Sequence, residues 1–498
     1  MKSIFRKVTM CVLVLAFICS TVLVLNAQIS CDTWVAMKDA TSDGSIILTK
    51  NSDRPPMEAQ PLTQFPRMKH EAGSTVKCTY IEIPQVAETY EIILSKIWWT
   101  FGGEHGMNEY GVAIGNEAVW SHEEYRWNDA LLGMDMLRLG LERGKTAYEA
   151  MHVIIDLLQE FGQSGDAEYP GEWGKGNYHN TFIIADPNDA WVLETAGTYW
   201  AAKQITSGVW SISNIYSIEN DWTEAHPKLV EHAIEMGWTE RAEDFNFARD
   251  YGDYWTAKSA NPGDMQIRRN ETYESMMSEY THISPQIMMS ISRSHHEGSV
   301  VEPRWGAAET FWATPCMHDS AHSGYRTAAT MVCHLRSWMP PLLRQVYWAS
   351  SSVPCVNVFK PFYFQGVKVP ENYAKGTSTY SADSPHWWAE RVKLLCSLND
   401  QALAPVTRAV FGLTEEWEKK RAEQYEAQAL KLTNEGKTDE AVNVLQKFVD
   451  ENCARVEKEY KMLNQSLEDI LKTVGIKFVY LDYMKDWTAK AGVPLPLP

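Results

Sequence analysis

The sequence predicts an α+β fold in which helices stack on antiparallel sheets, followed by a mainly helical C-terminal extension. Three observations lead there. Alternating or β-branched runs parted by Gly, Pro, Asn and Asp recur over Cys31–Ala118, His179–Ser213 and Thr327–Phe364. Between the first two blocks, Asp129–Arg143 and Thr146–Phe161 carry apolar residues at helical spacing, joined at Gly144-Lys145. Beyond about Pro385 the strand signals stop, and Glu alternates with Lys and Arg over long apolar stripes.

A chain of 498 residues can bury a large core, and length alone suggests two to four domains. Its net charge of −18 becomes −21 once residues 1–27, which hold Lys2, Arg6 and Lys7 and no acid, are set aside. That balance repels nucleic acid and anionic lipid. The 20 Trp and 22 Tyr read as aromatic packing, or as the lining of a ligand cleft.

The first 27 residues read as a signal peptide: a basic start, a nearly continuous apolar run from Val8 to Leu25, then Asn26-Ala27. An uncleaved anchor is the alternative, and so is a lipid on Cys31, although Gln28-Ile29-Ser30 lacks the usual leucine. An exported protein is expected, periplasmic or secreted, with residues 28–30 as a short propeptide and no membrane contact after processing. Of nine cysteines, two leave with the signal peptide and Cys31 is set aside as a nucleophile. The six others, Cys78, Cys316, Cys333, Cys355, Cys396 and Cys453, are an even number that suits disulfides. No C-x-x-C pair and no His/Cys cluster at zinc spacing is present, so neither a structural metal nor a cofactor is expected.

Taken in order, Cys31–Met37 alternates, Asp43-Gly44 is a turn signal, and Ser45–Asn51 returns as a strand. This hairpin sets Lys50, Asn51 and Asp53 beside Cys31. A plain surface hairpin or an acidic calcium-like loop is the bland alternative. Thr75–Ile83 and Thr89–Ile97 follow as strands, then Phe101–Gly106 as a glycine-rich turn, and Val112–Ile114 ends at Gly115-Asn116-Glu117. A Gly-Asn pair at a strand end lets backbone and amide approach a ligand, and Asn116 is a candidate oxyanion donor. The strands between His179 and Ser213 end at a second asparagine, Asn214. Trp222–His282 is helical and loop-rich and includes Arg268-Arg269. A capped helix from Ser284 runs to Ser294, and His295-His296 reads as a helix end, since adjacent residues face different ways and no third ligand stands at coordinating spacing. Val356–Phe364 is expected as a late strand. Leu413–Leu432 and Asp439–Lys472 form a helical hairpin packed on the body, with a dimerisation arm as the alternative, which leaves a homo-oligomer open.

Four ordered blocks now agree. Cys31-Asp32-Thr33 with Lys50-Asn51-Ser52-Asp53-Arg54-Pro55 resembles the N-terminal signature of the dipeptidase A and secernin family, cysteine peptidases of the N-terminal nucleophile hydrolase superfamily. Gly106–Gly111 running into Ile114–Ala118, Asp186-Pro187 with Trp191–Gly197, and Phe359–Phe362 after Pro354-Cys355 are similar to its later blocks. The resemblance implies an αββα sandwich of two antiparallel sheets between helical layers, over residues 31–385, with residues 386–498 as the extension. From the wider superfamily, including bile salt hydrolases and penicillin acylases, it also implies catalytic roles for Asp53, Asn116 and Asn214. The usual arginine position falls on Lys50, with Arg54 nearby as a substitute, and a later arginine falls on Arg268 or Arg269. Arg54, Glu117 and Arg269 are the candidate substrate contacts.

The function expected is hydrolysis of dipeptides or other small peptides. Once Cys31 is N-terminal, one residue carries a thiol near ~8.5 and an α-amine near ~8, so the amine can take the thiol proton. An N-acyl amide acylase of the bile salt hydrolase type is the second expectation. A non-catalytic exported binding protein, with Cys31 lipidated or disulfide-bonded, is the third.

Overall fold

The protein is described here by a computed structural model covering residues 30–127, 129–169, 176–253, 262–298, 313–319, 324–477 and 481–497. The expected signal peptide, and Gln28 and Ile29 of the expected propeptide, lie outside the described residues. The first hairpin forms as its residues dictate. Gly44 takes φ +77°, the Asp43 carboxylate accepts from Ser45 N at 3.1 Å, and β1 (Cys31–Ala36) returns as β2 (Ile46–Arg54). Strand β2 ends three residues further on than the sequence suggests, so Asp53 lies within the ladder.

The chain continues through β3 (Leu62–Phe65), two small ribbons made of β4 (Met68–Lys69), β5 (Thr75–Lys77), β6 (Glu82–Pro84) and β7 (Glu88–Thr89), then β8 (Ile92–Lys96), β9 (Gly103–Asn108) and β10 (Ala113–Val119). Helices α1 (Gly133–Arg143) and α2 (Ala147–Phe161) follow, the second capped by the Thr146 hydroxyl, which accepts from Glu149 N at 3.1 Å. Next come β11 (His179–Ala185), β12 (Ala190–Ala196), β13 (Tyr199–Gln204), β14 (Val209–Ile212) and β15 (Glu224–Ala225). Helices α3 (Leu229–Glu235), α4 (Phe247–Tyr251), α5 (Pro262–Ser278) and α6 (Pro285–Ser292) precede β16 (Arg326–Leu335), α7 (Pro341–Arg344), β17 (Gln345–Ser351) and β18 (Lys360–Phe362).

Two antiparallel sheets result. The six-stranded one runs β14-β1-β2-β16-β17-β18, and the eight-stranded one β15-β13-β12-β11-β10-β9-β8-β3. Period-two alternation assigns their faces. Ile183 and Val192 join the core between the sheets, whereas Phe182, Ile184 and Leu193 pack with Leu137, Ile154 and Leu158 of α1 and α2. Helices α5 and α6 cover the other face of the six-stranded sheet, giving the αββα sandwich. The expected strand Val356–Phe364 shrinks to β18, because Pro354 starts a 3₁₀ turn over Pro354–Val356. Pro361 sits at the sheet edge, where a missing N–H is tolerated. Helices α8 (Pro385–Leu398), α9 (Asp400–Asn434), α10 (Thr438–Val474) and α11 (Leu481–Ala491) complete the chain.

Candidate active site

Register places the first residues of β1 at a junction of strands. Cys31 lies opposite Ser52 and Thr33 opposite Lys50 on β2, while Thr33 pairs with Ile212 on the other side. The second pairing brings Asn214, two residues past β14, to the start of β1. The Cys31 backbone N donates to Asn214 Oδ1 at 2.9 Å. The thiol lies against the backbone of Asp53: Asp53 N donates to Sγ at 3.4 Å, and Sγ donates to Asp53 O at 3.9 Å.

Arg268 of α5 closes this corner. Its Nη2 donates to Asn214 Oδ1 at 2.7 Å and to Ser213 Oγ at 2.9 Å, its Nε to Asp32 Oδ1 at 3.2 Å, and its Nη1 to Ser30 Oγ. Lys50 lies on the same face of the hairpin as Cys31 and reaches the facing sheet. Its Nζ donates to Asn116 O at 2.5 Å and to Glu117 Oε1 at 3.0 Å, and Glu117 also accepts from the Thr33 hydroxyl. The strands approach this closely because residue 115 is glycine: a Cβ there would stand 2.6 Å from Thr33 Oγ1 and 2.8 Å from Lys50 Cδ. Asp53 lies on the opposite face of β2 and accepts from Thr327 Oγ1 at 2.7 Å.

Electrostatics follow from burial and neighbours. Burial pushes the Cys31 thiol up, with the Lys50 ammonium pulling the other way. Burial also opposes charge on Lys50, yet the Cys31, Glu117 and Glu104 charges outweigh it and keep the ammonium protonated. Burial, then the Asp32 charge, pushes Asp53 up to about 7 against Arg268, Thr327 and Lys50.

The candidates divide by position. Cys31, Lys50, Asp53, Asn116, Glu117 and Asn214 converge on one junction. Asn214 is arranged differently from the oxyanion donor expected of it, since its Nδ2 is given to Ala118 O at 2.9 Å and its Oδ1 faces Cys31. The Asn116 amide sits between Asn180 and Glu104. Turned one way its nitrogen donates to Asn180 Oδ1 at 3.0 Å, turned the other way to Glu104 O at 3.3 Å and Glu104 Oε2 at 3.1 Å. Arg54 is committed elsewhere, buried between Glu58 (Nε to Oε2, 2.7 Å) and Glu104 (Nη1 to Oε1, 3.2 Å). Arg269 donates to Ser211 O at 2.8 Å and lines a cavity of about 520 Å³ with His122, Ser217 and Arg249, while Arg268 is the arginine that reaches the partners of Cys31. Asp32 and Thr327 were missed. Asp32 adjoins Cys31 in sequence but faces the helices, and no local pattern ties Thr327 to Asp53.

The cysteines also differ from expectation. All seven described ones are buried free thiols, without a disulfide. Nor does spacing along the chain decide metal ligation: the fold brings His295 together with Cys316, His318 and Cys355, their ligand atoms all within 4.8 Å of one another.

With this geometry in hand, residues 30–410 match the family model of peptidase family C69. A probable dipeptidase of Latilactobacillus sakei is 21% identical over 402 residues, covering 74% of this chain and 80% of the relative. A probable dipeptidase A of Streptococcus pyogenes serotype M3 is 21% identical over 396 residues, covering 72% and 81%. Among solved structures, a mutant conjugated bile acid hydrolase from Clostridium perfringens aligns at 11% identity and a TM-score of 0.37, over 71% of this chain and 97% of its own. Penicillin V acylase from Agrobacterium tumefaciens aligns at 12% and 0.35, over 68% and 87%.

Proposed function

The chain belongs to peptidase family C69 and is a peptide-bond hydrolase, and from that premise we propose that it is an exported dipeptidase whose nucleophile is Cys31 as the first residue of the mature protein. The relatives named as dipeptidases support the substrate class, and the apolar run Val8–Leu25 supports export. The observation that carries the mechanism is the 2.9 Å bond from Cys31 N to Asn214 Oδ1, beside a thiol held by the Asp53 backbone. Removal of residues 28–30 turns that nitrogen into an α-amine, and Asn214 Oδ1 then accepts one of its protons.

The amine takes the thiol proton, and the Lys50 ammonium favours the thiolate that remains. The thiolate attacks the peptide carbonyl. Asn116, with one amide hydrogen given to Asn180 Oδ1, donates the other to the new oxyanion, and loss of such a donor costs about 100- to 1000-fold in rate. The amine returns its proton to the leaving amine, and water resolves the thioester. Asp53 and Arg268 fix the charge balance around the ammonium through Thr327, Asp32 and Asn214.

Intact-mass analysis and N-terminal sequencing of the exported protein are expected to find Cys31 first, and Cys31→Ala to abolish dipeptide turnover with the fold retained. An active enzyme that still begins at Gln28 defeats the mechanism.

A further inference from the structure

We propose that His295, Cys316, His318 and Cys355 bind one zinc ion in a closed, structural site on the far side of the six-stranded sheet from the facing sheet. The site owes nothing to the chemistry assigned to Cys31. Three segments supply it: the bend that follows α6 gives His295, residues 313–319 give Cys316 and His318, and the 3₁₀ turn Pro354–Val356 gives Cys355.

The spacing of the ligand atoms suits a tetrahedral ion: all four lie within 4.8 Å of one another, and the three edges that meet at His318 Nε2 are shorter. His295 Nε2 and His318 Nε2 are 3.2 Å apart, Cys355 Sγ and His318 Nε2 3.3 Å, and Cys316 Sγ and His318 Nε2 3.6 Å. A tetrahedral zinc bound at about 2.0–2.1 Å to nitrogen and about 2.3 Å to sulfur sets ligand-to-ligand edges of roughly 3.3–3.8 Å. Two thiolates with two imidazoles make a borderline-soft donor set that selects zinc over the hard cations calcium and magnesium.

All four ligands are buried, none more than 6% exposed, and together they fill a four-coordinate shell without leaving a position for water. That is the structural rather than the catalytic kind of zinc site. The surroundings also fit. His295 turns its other ring nitrogen to Glu297 Oε1 at 3.2 Å, the carboxylate–imidazole arrangement that orients metal-bound histidines. Glu297 and Cys355 line a cavity of about 310 Å³, which gives the ion a way in. On binding, the two thiols lose their protons to solvent as the two Zn–S bonds form.

The position gives the ion a purpose. Asn51 Nδ2 donates to Ser292 O at 2.9 Å and to Pro315 O at 2.7 Å, so the residues of β2 next to Asp53 lean on the two segments that the ion would join. Met317 N donates to Thr327 Oγ1 at 3.0 Å, and Thr327 bonds Asp53. Zinc would therefore fasten the support behind Asp53 without touching substrate.

The test uses full-length protein exported and processed by its host and purified without a histidine tag. Inductively coupled plasma mass spectrometry is expected to find roughly one zinc per chain, falling below about a tenth in Cys316→Ala/Cys355→Ala. Should that variant fail to fold, the native protein still decides. Replacing zinc by cobalt(II) is expected to give tetrahedral d–d bands together with thiolate charge-transfer absorption for two sulfurs. Three results overturn the proposal: native protein that carries no zinc and takes up neither zinc nor cobalt, a Cys316–Cys355 disulfide in its peptide map, or a metal content unchanged in the folded double variant.

Discussion

Arg268 binds four groups around Cys31 at once, Ser30 Oγ among them, and it does so from the three nitrogens of one planar fork. Asn214 Oδ1 and Ser213 Oγ share one nitrogen, and Asp32 Oδ1 takes another. Lysine carries the same charge on a flexible stem but cannot span such positions. Arg268→Lys is therefore expected to leave KM for a dipeptide nearly unchanged while kcat falls roughly 10- to 100-fold, as Asn214 loses its fixed angle to the Cys31 backbone nitrogen. Arg268→Ala should add a stability loss of about 3–5 kcal/mol in urea unfolding, because Asp32 is left buried without its cation. Equal kcat in wild type and Arg268→Lys would show that Arg268 only braces the fold. This scale was half legible. The order Cys31, Lys50, Asp53 reads from the hairpin, since strand pairing follows from a local turn. The orientation of Asn214, and the choice of Arg268 over Arg269, depend on which face of α5 meets β14, and nothing local in the sequence records that.

At the scale of elements, α8 is fastened to the six-stranded sheet by a buried carboxylate. Glu390 accepts from Ser352 Oγ at 2.7 Å, meets Arg326 Nε at 3.4 Å and stands 3.5 Å from Lys393. Arg326 in turn donates to the backbone oxygens of Arg54, Pro55 and Pro56, at the exit of β2. Burial alone would raise Glu390, but the Arg326, Lys393 and His386 charges pull it down to about 2. A carboxylate held below its unfolded value adds stability that is complete above about pH 4.5 and is lost as pH falls toward about 2. That difference corresponds to about 3 kcal/mol. Glu390→Gln is expected to lower stability at pH 7 by about 3–5 kcal/mol, with Arg326 left buried and unbalanced, and to flatten the acid limb of the urea midpoint between pH 5 and pH 3. An acid limb as steep as the wild type's would assign that limb to other carboxylates. The helices of this region were readable from periodicity, as were β16 and β17. Val356–Phe364 was misread because its alternating Val and aromatic residues look like a strand, whereas Pro354 and the turn that carries Cys355 decide the backbone.

Over the whole molecule, the apolar core does not stop where the sequence changes character near Pro385. Tyr425 and Phe448 of the long hairpin belong to the same cluster as Phe362, Tyr363 and the strands between the sheets. Val353, Val356 and Val358 pack with Trp387, Leu395, Phe411, Tyr460 and Leu467 in a second cluster, which also contains Cys316 and Cys355. Polar contacts cross the same boundary: Arg336 Nη1 donates to Glu426 Oε2 at 2.6 Å, and Arg293 Nη1 to Glu415 Oε2 at 3.1 Å. The amphipathic stripes of α9 and α10 announce a helical hairpin, but a stripe says only that a helix is covered on one side, not by what. Here the cover is the catalytic sandwich itself. A fragment of residues 31–385 would expose both clusters to water and leave Arg336 and Arg293 without these carboxylates. It is expected to be insoluble or molten, binding a hydrophobic dye and showing no calorimetric transition, whereas the full mature chain should unfold in one transition with equal calorimetric and van't Hoff enthalpies. Two separated transitions in the full chain, or a fragment that melts cooperatively and cleaves dipeptides, would make the extension a true second domain.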